Sequence, residues 1–182
     1  KHFITSVSLM IVSIKNNYIF KNGYICNNYT ENNLKNKSHI KKEEEMMKIA
    51  VRYYSKTGNT KKLAEAIGRA IGVKAFPLSQ PVDPDTDILF LGSSVYAAGV
   101  SGEVKTFINT LDKNVGKVVN FSSAAIIEST YNQVKKLVKK RGITMSDKEF
   151  HCRGSFTVMH RGKPDKDDLK SVATFAKEVT NG

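Results

Sequence analysis

Ile88-Leu89-Phe90-Leu91 is an unbroken apolar run. A strand covered on one side alternates apolar and polar residues, whereas a run without alternation suits a central parallel strand packed on both faces. The chain must then supply two covering layers, and its periodicities do so. Ile49-Ala50-Val51 reads as a second buried strand, and Leu63, Ala64, Ile67, Ala70 and Ile71 follow it at helical spacing. Gly72 caps that helix, and Val73 to Leu78 read as a short strand that Pro77 confines to a sheet edge. Beyond the central run come a helix with the apolar face Val104, Phe107, Ile108 and Leu111, and a strand at Val118 to Phe121. A helix with Tyr131, Val134, Leu137 and Val138 inside follows, closed by Arg141-Gly142. Phe150, Cys152, Phe156 and Val158 alternate with His151, Arg153, Ser155 and Thr157, which predicts a half-exposed edge strand. The last helix starts near Pro164-Asp165, carries Asp167 and Asp168 in its first turn, and buries Leu169, Val172, Ala173, Ala176 and Val179.

Strands alternating with helices imply right-handed crossovers and a parallel α/β sheet with helices on both faces. In such a sheet a ligand sits beyond the carboxyl ends of the strands, where the strand order reverses. The residues after the first buried strand suit that place. Ser55, Thr57, Asn59 and Thr60 crowd around Gly58 at the start of the first helix, within Tyr53-Tyr54-Ser55-Lys56-Thr57-Gly58-Asn59-Thr60. A helix start leaves backbone N–H groups unpaired and partially positive, the hydroxyls add donors, and the glycine admits a tight curl. Such a turn can hold a phosphate. It lacks the Gly-Lys-Ser/Thr ending of a Walker loop and the three spaced glycines of a dinucleotide fingerprint. The plainer alternative is an N-cap that binds nothing.

Ser55-Lys56-Thr57-Gly58-Asn59-Thr60 resembles the phosphate loop of the flavodoxin family, Ser/Thr-x-Thr-Gly-Asn-Thr, and the resemblance extends over Met47 to Gly182. It implies a flavodoxin-like three-layer sandwich with a five-stranded parallel sheet in the order 2-1-3-4-5, and FMN as cofactor. The phosphate would lie on Ser55, Lys56, Thr57, Gly58, Asn59 and Thr60. The ring would lie between two further strand-to-helix loops, Ser93 to Gly102 and Ser122 to Ile126. Their candidate contacts are Ser93, Ser94, Val95, Tyr96, Ala97 and Gly99 in one, and Ser122, Ser123 and Ala124 in the other. Tyr96 is the aromatic placed to stack on the flavin, and the resemblance gives the Gly99 peptide the role of bonding it when it takes up a proton. The chain departs from the family's pattern in having no Trp, no aromatic in the second loop and no acidic residue in either.

The same resemblance implies electron transfer between redox partner proteins. Two alternatives belong to other classes. One is an FMN-dependent oxidoreductase on a small substrate, since the bacterial protoporphyrinogen oxidases and quinone reductases include similar single domains; its pocket would use His160-Arg161-Gly162-Lys163. The other is a flavin-free binding module. Neither His151 nor His160 has a Cys, Asp or second His at triad or metal-ligand spacing, so no catalytic residue and no metal site is assigned. Cys152 reads as core packing, and with Cys26 as the other cysteine no disulfide is expected, which suits the reducing cytoplasm. The chain carries a net charge of +12. Lys135, Lys136, Lys139, Lys140 and Arg141 are its densest basic group, suited to an acidic partner protein or an anionic surface. Nucleic acid is disfavoured because no aromatics for base stacking are interleaved.

Residues 1–46 differ from the rest, with eight Asn, seven Lys, six Ile and no Pro, and no helical or strand period. The apolar stretch from Ile4 to Ile14 is too short and too rich in Ser and Thr to span a membrane, and no small-residue cleavage site follows it. Asn, Lys, Ile, Tyr and Phe are encoded by A/T-rich triplets, and Lys42-Glu43-Glu44 before Met46-Met47 can be read from a purine-rich ribosome-binding sequence. The expectation is a disordered leader translated from upstream DNA, followed by one domain over residues 47–182. Without the leader's seven Lys and four Glu, 22 basic and 13 acidic residues remain, a net of +9. Mass spectrometry of the native protein should find a mature chain beginning at Met46 or Met47.

Overall fold

The computed structural model describes residues 13–15, 18–21, 24–27, 47–96, 99–125, 129–155 and 158–181, with side chains from Met47 onward except those of Val95 and Tyr96. Two units group separately, Lys1–Glu44 and Glu45–Gly182. In the first, Ser13–Lys15 (β1), Tyr18–Lys21 (β2) and Tyr24–Asn27 (β3) pair as an antiparallel sheet in that order. The sequence has no strand period there. Its one hairpin signal is Asn22-Gly23, the pair that two-residue turns favour, between β2 and β3.

The second unit runs Ile49–Tyr53 (β4), Asn59–Ile71 (α1), Ala75–Pro77 (β5), Ile88–Tyr96 (β6), Gly99–Val100 (β7) and Gly102–Thr110 (α2). It continues with Lys117–Ala124 (β8), Tyr131–Lys140 (α3), Thr144–Met145 (β9), Phe150–Arg153 (β10) and Lys166–Asn181 (α4). The main sheet has the order β10-β8-β6-β4-β5, with every neighbouring pair parallel. Counted along the chain this is 2-1-3-4-5, as expected. Val51, Phe90, Val119 and Phe121 point to one face and pack with Leu63, Ile67, Val172 and Ala176 of α1 and α4. Ala50, Leu89, Leu91 and Val118 point to the other and pack with Val104, Ile108, Val134 and Val138 of α2 and α3. Burying one such side chain contributes about 1.5–3 kcal/mol, so these two clusters hold the layers together.

Five strands differ from their sequence-predicted bounds, β4 running on from Val51 to Tyr53. β6 continues from Leu91 through Gly92, Ser93 and Ser94 to Tyr96, and then turns back on itself as β7, with Val95 opposite Val100. β8 likewise carries Ser122, Ser123 and Ala124 as strand, not loop. The reason lies in pairing: Ser122 has a ladder partner on each side, Ser93 and His151, so backbone hydrogen bonding outweighs the polar side chains. β5 is shorter than Val73 to Leu78. β10 ends at Arg153 rather than Val158, because β8, its ladder partner, ends at Ala124; the Gly154 N–H makes a last bond to the Ala124 carbonyl (3.0 Å). Val158 is 72% exposed, and Phe156 and Thr157 lie outside the described residues. β9, on the start of β8, is a pairing the sequence does not announce.

Gly92 sits where the ring of Phe121 crosses the sheet. A Cβ at Gly92 would stand 2.3 Å from Phe121 Cζ and 3.0 Å from Thr60 Cγ2. Gly92→Ala should therefore lower the stability of the domain by about 1–3 kcal/mol, the usual cost of overpacking, read from urea unfolding.

Candidate functional site

β4 and β6 are neighbours whose connections leave in opposite directions, one through α1 to β5 and the other through α2 to β8. The carboxyl ends of the two strands therefore border a crevice at the point where the strand order reverses. The Tyr54 N–H donates to the Gly92 carbonyl (2.9 Å), carrying the β4–β6 pairing up to its edge. The chain then bends through Ser55, Lys56 and Thr57 to Gly58, the N-cap of α1, whose φ of 87° few other residues adopt. The first helical bond runs from Lys62 N–H to the Gly58 carbonyl (3.0 Å), and no acid occupies the first turn of α1. The helix thus presents its partially positive end at the crevice.

The side chains of this loop divide into two sets. Lys56 and Thr57 are exposed, while Ser55 Oγ is covered and has no hydrogen-bond partner. A covered hydroxyl without a partner costs about 1–3 kcal/mol, and the oxygen of a bound anion would satisfy it. Asn59 and Thr60 turn back into the protein instead. Asn59 Nδ2 donates to the Ser155 carbonyl (2.8 Å), and Thr60 Oγ1 shares a hydrogen bond with Ser123 Oγ (2.8 Å). They tie the loop to β8 and to the segment after β10.

On the ring side, Ser93, Ser94, Ser122, Ser123 and Ala124 are strand residues with almost no exposure. Ser93 Oγ lies 2.6 Å from Thr130 Oγ1, which donates to Asn120 Oδ1 (3.1 Å), all three residues being fully buried. Ser94 Oγ and Ser122 Oγ are covered and unpartnered. Ala97 and the side chains of Val95 and Tyr96 lie outside what is described. Gly99 belongs to β7, where the Gln133 carboxamide packs over its Cα and accepts from the Val100 N–H (2.8 Å).

Residues 50–166 match the flavodoxin domain. The chain belongs to that family. No curated protein matches it. Among solved structures it is similar to a flavodoxin from the domain Archaea, with 22% identity and a TM-score of 0.62 over 74% of this chain and 97% of that one. A flavodoxin, WrbA-like protein from Agrobacterium tumefaciens is 16% identical, TM-score 0.59, over 74% and 96%. A rubredoxin oxygen:oxidoreductase from Desulfovibrio gigas is 14% identical, TM-score 0.59, over 74% of this chain but 35% of that one. Likeness at these identities is one of fold.

The structure also brings two carboxylates from distant parts of the chain to this flavodoxin domain's loops. Tyr54 Oη donates to Glu103 Oε1 (2.6 Å) across the mouth of the crevice, and that bond holds the Glu103 carboxyl below its ordinary range. Glu149, just before β10, accepts from Asn120 Nδ2 (3.2 Å) and from Ser129 Oγ. Neither contact has a local signal, the partners of the first being 49 residues apart. Lys163 stands between Asp165 (2.7 Å) and Asp168 (3.0 Å), whose hydrogen bonds raise its pKa and leave its charge compensated. In α3, Lys135 rests on Tyr131 and Asp147, and Arg141 donates to the Leu111 carbonyl, while Lys136, Lys139 and Lys140 stand exposed. This ten-residue helix is about 15 Å long and starts at the crevice end, so its basic terminus lies at the far end of the domain.

Among the described residues no three His, Cys, Asp or Glu side chains gather as a metal site, and no helix is long and apolar enough to cross a membrane. Cys152 is half-buried among the α1 and α4 packing, and burial, reinforced by Asp168, pushes its thiol up to about 12. It is therefore a protonated, unreactive thiol at neutral pH. Iodoacetamide at pH 7.5 should leave the Cys152 peptide unmodified in the folded protein and alkylate it once urea unfolds the chain, as peptide mass mapping would show.

Proposed function

We propose that this member of the flavodoxin family binds FMN and passes electrons between redox partner proteins. The observation that carries the proposal is the covered, partnerless hydroxyl of Ser55 beside left-handed Gly58, at the positive end of α1 and on the crevice where the strand order reverses. Ser55, Thr57 and the backbone amides from Lys56 to Thr60 would hold the phosphate, with Asn59 and Thr60 fixing the loop's shape through Ser155 and Ser123. The ring would be bracketed by the ends of β6 and β8: Ser93, Ser94, Val95, Tyr96, Ala97 and Gly99 on one side, Ser122, Ser123 and Ala124 on the other. Bound FMN supplies one- and two-electron transfer. The net charge of +9 over residues 47–182 supports an acidic partner, steered at low salt and less so at high.

Protein purified with FMN should be yellow and should not turn over quinones or NAD(P)H; turnover would move the assignment to a small-substrate oxidoreductase. Thr57→Ala should weaken FMN binding by about 1.5–3 kcal/mol, the worth of a hydrogen bond to a charged acceptor, and leave riboflavin binding unchanged. Thr60→Ala should in addition lower folding stability, because Ser123 loses its partner. FMN and riboflavin titrations beside urea unfolding separate the two effects. Parent-like FMN binding in both variants, together with equal affinity for riboflavin and FMN in the parent, would refute the phosphate loop.

A further inference from the structure

Charge is unevenly divided between the two helical layers. α1 and α4, over one face of the sheet, carry six basic and four acidic residues, whereas α2 and α3, over the other, carry five Lys and one Glu. The apolar residues of α3, Val134, Leu137 and Val138, pack inward on the core. Lys136, Lys139 and Lys140 stand at i, i+3 and i+4, so they share the opposite face of the helix, and all three are exposed. Lys105 of α2 and Lys113, in the turn after it, are exposed as well. Arg141 Nη2 donates to the Leu111 carbonyl (2.8 Å), which pins the end of α3 to the end of α2 and brings Lys113 to the same rim. Among the described residues, Lys105, Lys113, Lys136, Lys139 and Lys140 make no ion pair, while Lys135 beside them has Asp147. The acids on this side have partners of their own: Glu103 accepts from Tyr54 at the crevice mouth, and Asp112 from the Asn114 N–H (2.8 Å). Lys139 and Lys140 suit the negative end of α3, but that account leaves out Lys136 and Lys105, which stand in mid-helix.

We propose that this lysine face is a docking surface for anionic lipid headgroups, holding the domain peripherally against a membrane. The choice of lipid over protein follows from the side chains. A protein interface is built on an apolar or aromatic centre and is poor in Lys. This face has no such centre: of the exposed large apolar residues, Val158 and Met159 lie beyond β10 and Met47 before β4. Each ammonium is a hydrated point charge on a flexible stem, without the fork by which Arg fixes a single carboxylate or phosphate, and the guanidinium of Arg141 is already engaged. Such charges fit a fluid sheet of negative headgroups, which needs no fixed geometry from the protein. Lys136, Lys139 and Lys140 occupy the second half of α3, away from the crevice end where that helix starts, so a membrane held there leaves the crevice open to a partner.

In a sedimentation assay at low salt, the full chain should adsorb to phosphatidylcholine vesicles containing roughly one-third phosphatidylglycerol and far less to phosphatidylcholine alone. Adsorption should fade as salt rises. Lys136→Gln, Lys139→Gln and Lys140→Gln together should weaken it about 100-fold, roughly five-fold for each lysine, with the circular dichroism of the parent. The same loss of charge on the other layer, through Lys166→Gln, Lys170→Gln and Lys177→Gln, should leave adsorption within about two-fold of the parent, because charges away from the contact are screened. Equal adsorption of the α3 variant and the parent, or no preference for the anionic vesicles, would overturn the inference. So would a parent that ignores the vesicles yet binds soluble polyglutamate through the same lysines, an outcome that marks an acidic protein as the partner instead. None of these measurements involves a flavin, so the assignment of the crevice stands or falls separately.

Discussion

Leu89, Phe90 and Leu91 in the middle of β6 are wholly enclosed, Phe90 beneath α1 and α4 and its two neighbours beneath α2 and α3. A strand apolar on both faces can be satisfied only by a layer on each side, and a parallel neighbour can be reached only by a crossover that passes over one of those faces. These requirements meet in a single arrangement here. α1 must start at the carboxyl end of β4 and return over one face to β5, while α2 starts at the carboxyl end of β6 and crosses the other. The reversal of strand order between β4 and β6 follows, and with it a crevice beside the exposed N-terminus of α1. The candidate site is thus a consequence of how the core is covered, not an addition to it.

The polar upper ends of β6 and β8 show how such a site is kept from collapsing. Hydroxyl residues replace apolar ones where the strands approach the crevice: Ser93 and Ser94 in β6, Ser122 and Ser123 in β8. Two of them are tied to the covering layers, Ser123 to Thr60 of α1 and Ser93 to Thr130 before α3. Each bond fixes a helix start relative to the sheet. The loops between them inherit that placement, because both their ends are pinned to packed elements.

Legibility from sequence was uneven for physical reasons. Helix faces such as Val104, Phe107, Ile108 and Leu111 were readable because apolar periodicity reflects burial directly, and all four are buried. Strand ends were not, because a ladder with partners on both sides holds serines extended whatever their local preference. Among candidate site residues, Ser55, Lys56, Thr57 and Gly58 lie between the end of β4 and the start of α1, at the crevice. The side chains of Asn59 and Thr60 serve internal bonds that only their distant partners, Ser155 and Ser123, explain. Charge at these loops is set by the same kind of pairing: Lys163 is compensated by Asp165 and Asp168, and Glu103 and Glu149 bond to Tyr54 and Ser129, residues far from them in the chain.

By itself the sequence determined the layered α/β plan, the helix faces and the strand-turn-helix at Ser55 to Thr60, since each depends on residue types within one turn or one strand of each other. Tertiary structure alone decided which hydroxyls face the crevice and which face the core, how far β6 and β8 extend, and which carboxylates come to the loops. Those outcomes turn on pairs such as Tyr54 with Glu103 and Ser129 with Glu149, brought together by the sheet's register. A hydrogen bond between residues far apart in the chain leaves no pattern in the residues around either one.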